Sequence, residues 1–431
     1  MIKQFEMTEK LSYNSIYTGL FCLFAFSFAW NLQISTVLLI LLFGVWISDK
    51  NTSFKDKWML PFKDKRVLVL ISTYILAFLG LLVTNNIDHG LFILGVSTSL
   101  FVNPVIFTSF EKRTFNRKQI HFVFISFVAG ILTSSIYCLL VSYIEYSQGG
   151  VGTEVFRYVG LMNVVLSPGS FGNYLSFSML LVLLYLLGEY KFAKKPTLIQ
   201  WILAFLLFSF FLVMTLLLQS KASLLAVIMI IGLVIAYKIT MLFSWKIMFV
   251  GVILFGSFFY FTGLHISILG ERFEAMNQNF ENFDKKSQSS STLRYAALEG
   301  SYYLAYNNPF MGVGTGAVKR KLTEYYAKNG YDGALLHKTD THNQFLRSFA
   351  KNGILGLLLV TITFLLPLIL AIKTKSFLLF VFGMLEIVMG MTGDIFDSQP
   401  GIVFYTFTIC FLIFIVGKTS NEPTNKTIES K

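Results

Sequence analysis

Charge, cysteine and proline are all scarce in this chain. Only 13% of its 431 residues are charged, while 55% are hydrophobic. A soluble protein of this length could not bury so much apolar surface, because single cores stop growing well below that size. Composition therefore excludes a soluble globular enzyme. The three cysteines, Cys22, Cys138 and Cys410, fall inside apolar runs and share no metal-ligand spacing. They read as small buried residues, not as a disulfide framework or a zinc site. Acidic residues number 23 against 35 basic ones, a net charge of +12. In a soluble protein that excess would suggest nucleic acid; here topology explains its sign. The first ten residues are polar and lack a small-residue cleavage site, which predicts no removable signal peptide.

Long apolar runs are what the chain has in quantity. They recur near 14–30, 32–48, 66–84, 90–109, 119–144, 170–188, 199–218, 221–241, 245–263, 353–372, 376–393 and 401–417. Each approaches the roughly 17–25 residues that a helix needs to cross a bilayer. The expected fold is an all-α polytopic membrane protein of about twelve transmembrane helices. With the N-terminus in the cytoplasm and the runs alternating, inner segments hold 22 of the 35 basic residues, among them Lys55, Lys57, Lys63 and Lys65. The short outer segments hold Arg157 and Lys221 alone. The other 11 lie in one long polar segment, where the positive-inside bias does not operate. The expectation is a single membrane domain over 1–431 with both termini cytoplasmic. An extracytoplasmic loop, 264–352, is inserted between helices nine and ten.

That loop carries most of the polar chemistry. Ser289 to Thr292 supply helix caps before the i, i+4 series Leu293, Ala297, Ser301, which Asn307-Asn308-Pro309 ends. A second helix is predicted over Ala317–Lys328, stopped by Asn329-Gly330. A third is predicted to start at Asp340 or Thr341, with His342 in its first turn and Asn352-Gly353 leading into the tenth span. At a helix N-terminus the dipole disfavours imidazolium, so the ring stays neutral and can accept a hydroxyl proton. The same ring could equally cap or pack at the interface.

Arg294 offers a guanidinium fork suited to diphosphate oxygens, or a surface cation lying over tyrosine rings. Lys221, in a tight turn between apolar runs, is either a functional cation or one that snorkels to water. Arg157, Asp394 and Asp397 fall on the same expected face. The run Gly312-Val313-Gly314-Thr315-Gly316 lacks phosphate-loop spacing and follows no strand, which excludes a nucleotide site and leaves a tight turn between loop helices. His337 to His342 meets no standard metal spacing. Neither a metal nor a cofactor is expected.

Together these residues resemble a family. A Ser220-Lys221 turn follows a mid-chain span, then comes Ser-Thr-Leu-Arg294 with an aromatic-rich helix. Next are Asn-Asn-Pro-Phe-Met-Gly312-Val-Gly314-Thr-Gly316 and Thr341-His342-Asn343-Gln-Phe-Leu346, running into Gly353-Ile354-Leu355-Gly356. The order resembles the O-antigen ligase and polysaccharide polymerase superfamily of bacterial inner membranes, most clearly over about 290–360. The resemblance implies a metal-independent, inverting glycosyltransferase whose donor is a glycan on undecaprenyl diphosphate, with a glycan or lipid-linked acceptor. It carries catalytic roles to Arg294 and His342; Lys221, Arg157, Asn343 and Asp394 are the candidate diphosphate- or substrate-binding residues. The family's usual Ser-Arg turn stands here as Ser220-Lys221, which keeps the charge and loses the fork. Asp394 and Asp397 match the family's late external acid only loosely.

Polymerase and ligase share a donor and differ in acceptor, and these motifs do not separate them. A transporter or flippase for the same lipid is the competing class. It predicts charges near the bilayer midplane and pseudo-symmetric halves with broken helices, neither of which is evident in the sequence.

Overall fold

The computed structural model describes residues 2–30, 32–149, 152–156, 168–187, 197–242 and 285–417. Among the described residues there is helix and no strand. The helices are α1 (Ile2–Ser27), α2 (Leu32–Ser48), α3 (Phe54–Met59), α4 (Lys65–Leu79), α5 (Ile87–Ser97), α6 (Ser99–Thr108), α7 (Arg117–Ser147) and α8 (Pro168–Leu186). They continue as α9 (Leu198–Leu217), α10 (Lys221–Leu242), α11 (Ser290–Asn307), α12 (Val318–Asn329), α13 (Asp332–Leu336), α14 (Gln344–Thr374), α15 (Phe377–Thr392) and α16 (Gln399–Phe411). Eight stretches of the described residues are long and apolar enough to cross a membrane, and α2 and α15 are shorter apolar helices. The architecture is that of an all-α polytopic membrane protein. The run at 245–263 and the loop residues 264–284 lie outside the described residues.

Aromatic rings and small residues set the helix packing. The last span, with α16 at its start, is the most deeply enclosed. Its Phe407 stacks on Phe24 of α1 at 4.7 Å, and its Phe404 meets Phe28 edge-on at 5.5 Å. Lipid tails are as apolar as the side chains, so membrane helices associate through close packing and not through water exclusion. Gly130 of α7 fits that rule, since a Cβ there would strike the Phe26 carbonyl. The run expected at 90–109 forms one candidate span, Ile87–Glu111, in which α5 and α6 meet at Thr98. Ser97 and Thr98 turn their hydroxyls back onto Ile93 and Leu94 carbonyls, 2.6 and 3.0 Å away, and Pro104 removes a further helical donor.

Among the described residues, an acid that the sequence pattern did not single out lies inside the bundle. Glu386 of α15 is fully buried and accepts from Asn173 Nδ2 of α8 at 3.0 Å. The absence of intramembrane charge expected from sequence is therefore corrected. A lone acid in an apolar run leaves hydropathy almost unchanged, and its amide partner is 213 residues away.

The loop helices follow their caps. Ser289 accepts from the Thr292 amide at 3.2 Å and starts α11, while Gly330 in the left-handed region (φ 74°) ends α12. The short α13 was not anticipated. Ala296, Leu304 and Ala305 of α11 pack with Leu322 and Tyr326 of α12 and with Ala350 of α14. Asn352 and Gly353 depart from helical angles inside α14 (Gly353 φ 66°, ψ −159°), dividing a polar segment, 344–351, from the span beyond.

The glycine run joins α11 to α12, as expected, and in addition docks the loop on the spans. Val313 and Gly314 amides donate to Ala350 and Lys351 carbonyls at 2.8 and 2.9 Å, and the Thr315 amide donates to the Gly80 carbonyl at 3.2 Å. A Cβ on Gly314 (φ 88°) would lie 2.5 Å from the Thr84 nitrogen. Only glycine allows backbones this close at such angles.

Candidate functional site

The site is built where the start of α14 crosses the turn between α15 and α16. Asn343, not Asp340 or Thr341, caps α14: its Oδ1 accepts from the Phe345 and Leu346 amides, both at 3.0 Å. His342 therefore precedes the helix, in the left-handed region at φ 50°. This corrects the placement of His342 in a first helical turn, and the reason is competition for the caps. Asp340 is held by Arg347, and the Thr341 hydroxyl donates to Asp394. A non-glycine residue at positive φ costs about 1–3 kcal/mol and persists only where its surroundings fix it.

Those surroundings pin every residue of the turn. Asp394 accepts from the Thr341 hydroxyl on one oxygen and from the His342 amide on the other, the latter at 3.1 Å. Asn343 Nδ2 donates to the Met391 carbonyl at 3.2 Å. Arg347 bridges Asp340 and Asp397, while Lys351 Nζ donates to Asp397 at 2.9 Å. Gln344 Oε1 accepts from the Phe396 amide at 2.7 Å. Arg347, Lys351 and Asp397 are buried side chains, so their charges stay there only because each is paired.

The electrostatics follow. Burial by itself would raise the Asp397 carboxyl, but Arg347 and Lys351 outweigh it and hold the group down at about 2. Asp394 is raised, chiefly by burial, with Arg347 offsetting part of the effect and Asp340 adding to it. The His342 imidazole is lowered below its ordinary value. Desolvation by the surrounding protein contributes most, then the positive charge of Arg294. His342 is exposed, so neighbouring protein atoms and the charge of Arg294, not a helix dipole, are what lower its imidazole. Arg294, exposed in the first turns of α11, thus shares one electrostatic neighbourhood with His342.

The remaining candidates divide. Lys221 is the exposed first residue of α10, where Ser220 Oγ accepts from the Ser223 amide at 3.3 Å. Gln219 before it is also at positive φ (52°). Four contacts fix the level of Lys221 in the bundle. Helices α8 and α10 run parallel, because Gly172 abuts Ser223 at one end and Lys238 Nζ reaches the Leu187 carbonyl at the other. The bond from Asn173, beside Gly172, to Glu386 directs α15 toward the Ser223 end, while Phe377 stacks on Tyr237 at the opposite end, 4.1 Å away. The two helices are antiparallel. About 24 Å along each from that stack, at 1.5 Å per residue, Lys221 comes level with Gly393 and Asp394. Arg157 lies outside the described residues. Asn343 and Asp394 spend their polar atoms on the turn itself.

Arg347, Lys351 and Asp397 form a cluster that sequence reasoning undervalued. The i, i+4 spacing of Arg347 and Lys351 at the edge of an apolar run was the available signal. Among the described residues, no group of three or more His, Cys, Asp or Glu side chains is arranged to hold a metal ion.

Residues 203–361, from α9 through the first part of the α14 span, match the family model described as O-antigen ligase. No curated protein matches the chain. The matched stretch contains Lys221, Arg294, His342, Arg347 and Lys351, while Asp394 and Asp397 lie beyond it. Over residues 203–361 this multi-pass membrane protein is similar to the O-antigen ligase family.

Proposed function

We propose that the protein is a membrane glycosyltransferase of surface-polysaccharide assembly. It works on the loop-bearing face, taken as the outer face of a bacterial inner membrane. The donor is a glycan on undecaprenyl diphosphate, and the acceptor is a hydroxyl of a second glycan or of a lipid-linked core. One observation carries the reading: the exposed His342 imidazole, its backbone fixed by Asp394, lies within the field of an exposed arginine.

The chemistry is a single inverting displacement. The acceptor hydroxyl gives its proton to the His342 ring as its oxygen bonds to the anomeric carbon. The anomeric carbon–oxygen bond breaks through an oxocarbenium-like state, and its electron pair leaves with the lipid diphosphate. Arg294 meets the growing negative charge, with Lys221 and Arg157 as further cations; one such preorganised group is worth on the order of 10²–10³ in rate. Side-chain cations supply the positive charge that a metal would otherwise bring to the diphosphate. The lowered imidazole stays unprotonated at pH 7, as a base must.

The test uses purified protein with the host's lipid-linked repeat unit, first alone and then with a lipid-linked core acceptor. Product that is lost in Arg294→Ala and in His342→Ala, with both variants folded, supports the reading. Near-normal product from both variants overturns it. Chain growth on the donor alone identifies a polymerase, and transfer only to the core identifies a ligase.

A second reading, a carrier for the same lipid, draws on Glu386, since acids inside membrane helices often mark transport paths. A carrier moves the glycan without changing its covalent structure. An unchanged product mass with glycan transferred across a vesicle would favour it.

A further inference from the structure

Helix α11 has a second face that the chemistry above does not use. Tyr295, Leu298, Tyr302 and Tyr306 recur at spacings of three and four, which aligns them along one side of the helix. All four are exposed, Tyr302 at 59% and Tyr306 at 70%. The opposite side is closed, with Ala296, Ala297, Ser301 and Ala305 at 0%. The stripe is thus not spilled core. Tyr302 and Tyr306 stack at 6.0 Å with 26° between their planes, forming one extended aromatic surface. On its flank, Tyr303 packs on Tyr325 at 4.9 Å, and Tyr325 donates to Glu299 at 2.7 Å. The stripe begins one residue after Arg294.

We infer that this tyrosine stripe is a stacking track for the glycan of the substrate, leading to or from the bond-forming site. The inference rests on the glycosyltransferase reading and names where its sugar chain lies. Three features select carbohydrate. Tyrosine offers a flat face to the C–H side of a sugar ring and a hydroxyl to its oxygens, whereas aliphatic side chains offer only the first. The flank carries the further exposed phenol of Tyr303, which suits a hydroxyl-rich polymer. From Tyr295 to Tyr306 the helix rises about 16 Å, room for several rings in a row. The track is also continuous with Arg294, so a glycan lying on it holds its reducing-end diphosphate at the guanidinium.

The test compares wild type with Tyr302→Ala/Tyr306→Ala, full-length in nanodiscs, using the host's lipid-linked glycan at full length and trimmed to one repeat. The ratio of KM for the long donor to KM for the short one should rise roughly tenfold, the worth of one or two aromatic contacts. A general folding defect would move both constants together. Binding is read separately by saturation-transfer NMR with the delipidated oligosaccharide, so an inactive wild type would sink the transferase reading and still leave the track measurable. An unchanged KM ratio and an unchanged NMR signal in the double variant overturn the track. So does failure of Tyr306→Cys to react with a membrane-impermeant maleimide, which would place the stripe in lipid.

Discussion

Asp394 allows a sharp test because each of its oxygens has one defined task. One oxygen accepts from the Thr341 hydroxyl and the other from the His342 amide at 3.1 Å. Asp394→Asn keeps the shape and can satisfy both partners: the amide oxygen accepts from His342, and the amide nitrogen donates to the Thr341 hydroxyl, which can accept. Charge is also tolerable, since Asp340 and Asp397 remain to balance Arg347 and Lys351. Asp394→Ala leaves two donors unmet at about 1–3 kcal/mol each and frees a histidine held at φ 50°. Misplacing a reacting group by about 1 Å can cost on the order of 10² in rate. The expected order is therefore wild type and Asn close together, with Ala about 100-fold slower and several degrees lower in melting temperature. Glycan transfer and thermal melting in detergent measure both. If Asn proves as damaging as Ala, Asp394 acts through its charge and the positioning argument is wrong.

Three further outcomes follow from the same geometry. Arg294→Met removes a positive charge that lowers the His342 imidazole, so the NMR titration of His342 should move upward; an unmoved titration separates the two residues. Asp397→Asn leaves Lys351 and part of Arg347 without a counter-ion, at about 3–5 kcal/mol, seen as a lowered melting temperature. Asp397 is held at about 2, below the ~3.9 of an unfolded carboxyl. Its contribution is therefore complete above pH ~4 and fades only as pH falls toward 2; the gap between wild type and variant should stay constant from about pH 7 to 8, because Asp394, raised in part by Asp397, titrates below that window. Gly314→Ala, at φ 88° with its Cβ against Thr84, should cost about 1–3 kcal/mol of strain and expose the loop to protease, and a variant as protease-resistant as wild type would contradict the docking role of the run.

What was legible in the sequence was local. The caps at Ser289 and Gly330 and the break at Asn352-Gly353 act on neighbours within a turn, and each expected boundary fell within about one residue. The start of α14 was misjudged because Asp340 and Thr341 are good caps in isolation. They are claimed instead by Arg347 and by Asp394, the latter 53 residues beyond Thr341. The same distance hid the burial of Arg347 and Lys351: counted by composition they are loop cations, and only Asp397 turns them into a core. Arg294 and His342 were chosen by motif. Their electrostatic contact arises from α11 packing on the polar segment of α14, which no spacing encodes.

The loop's attachment has an evolutionary consequence. It is stitched to the spans by main-chain bonds: Thr315 to Gly80, Val313 to Ala350, Gly314 to Lys351, and the Ile354 amide to the Pro309 carbonyl at 2.7 Å. Amides are common to almost every residue, so beyond the glycines this anchorage asks little of side-chain identity. The outward residues of α11 can therefore drift toward a new sugar repeat while the docking register is unchanged. A lineage could retune which polymer it handles without rebuilding the machine that handles it.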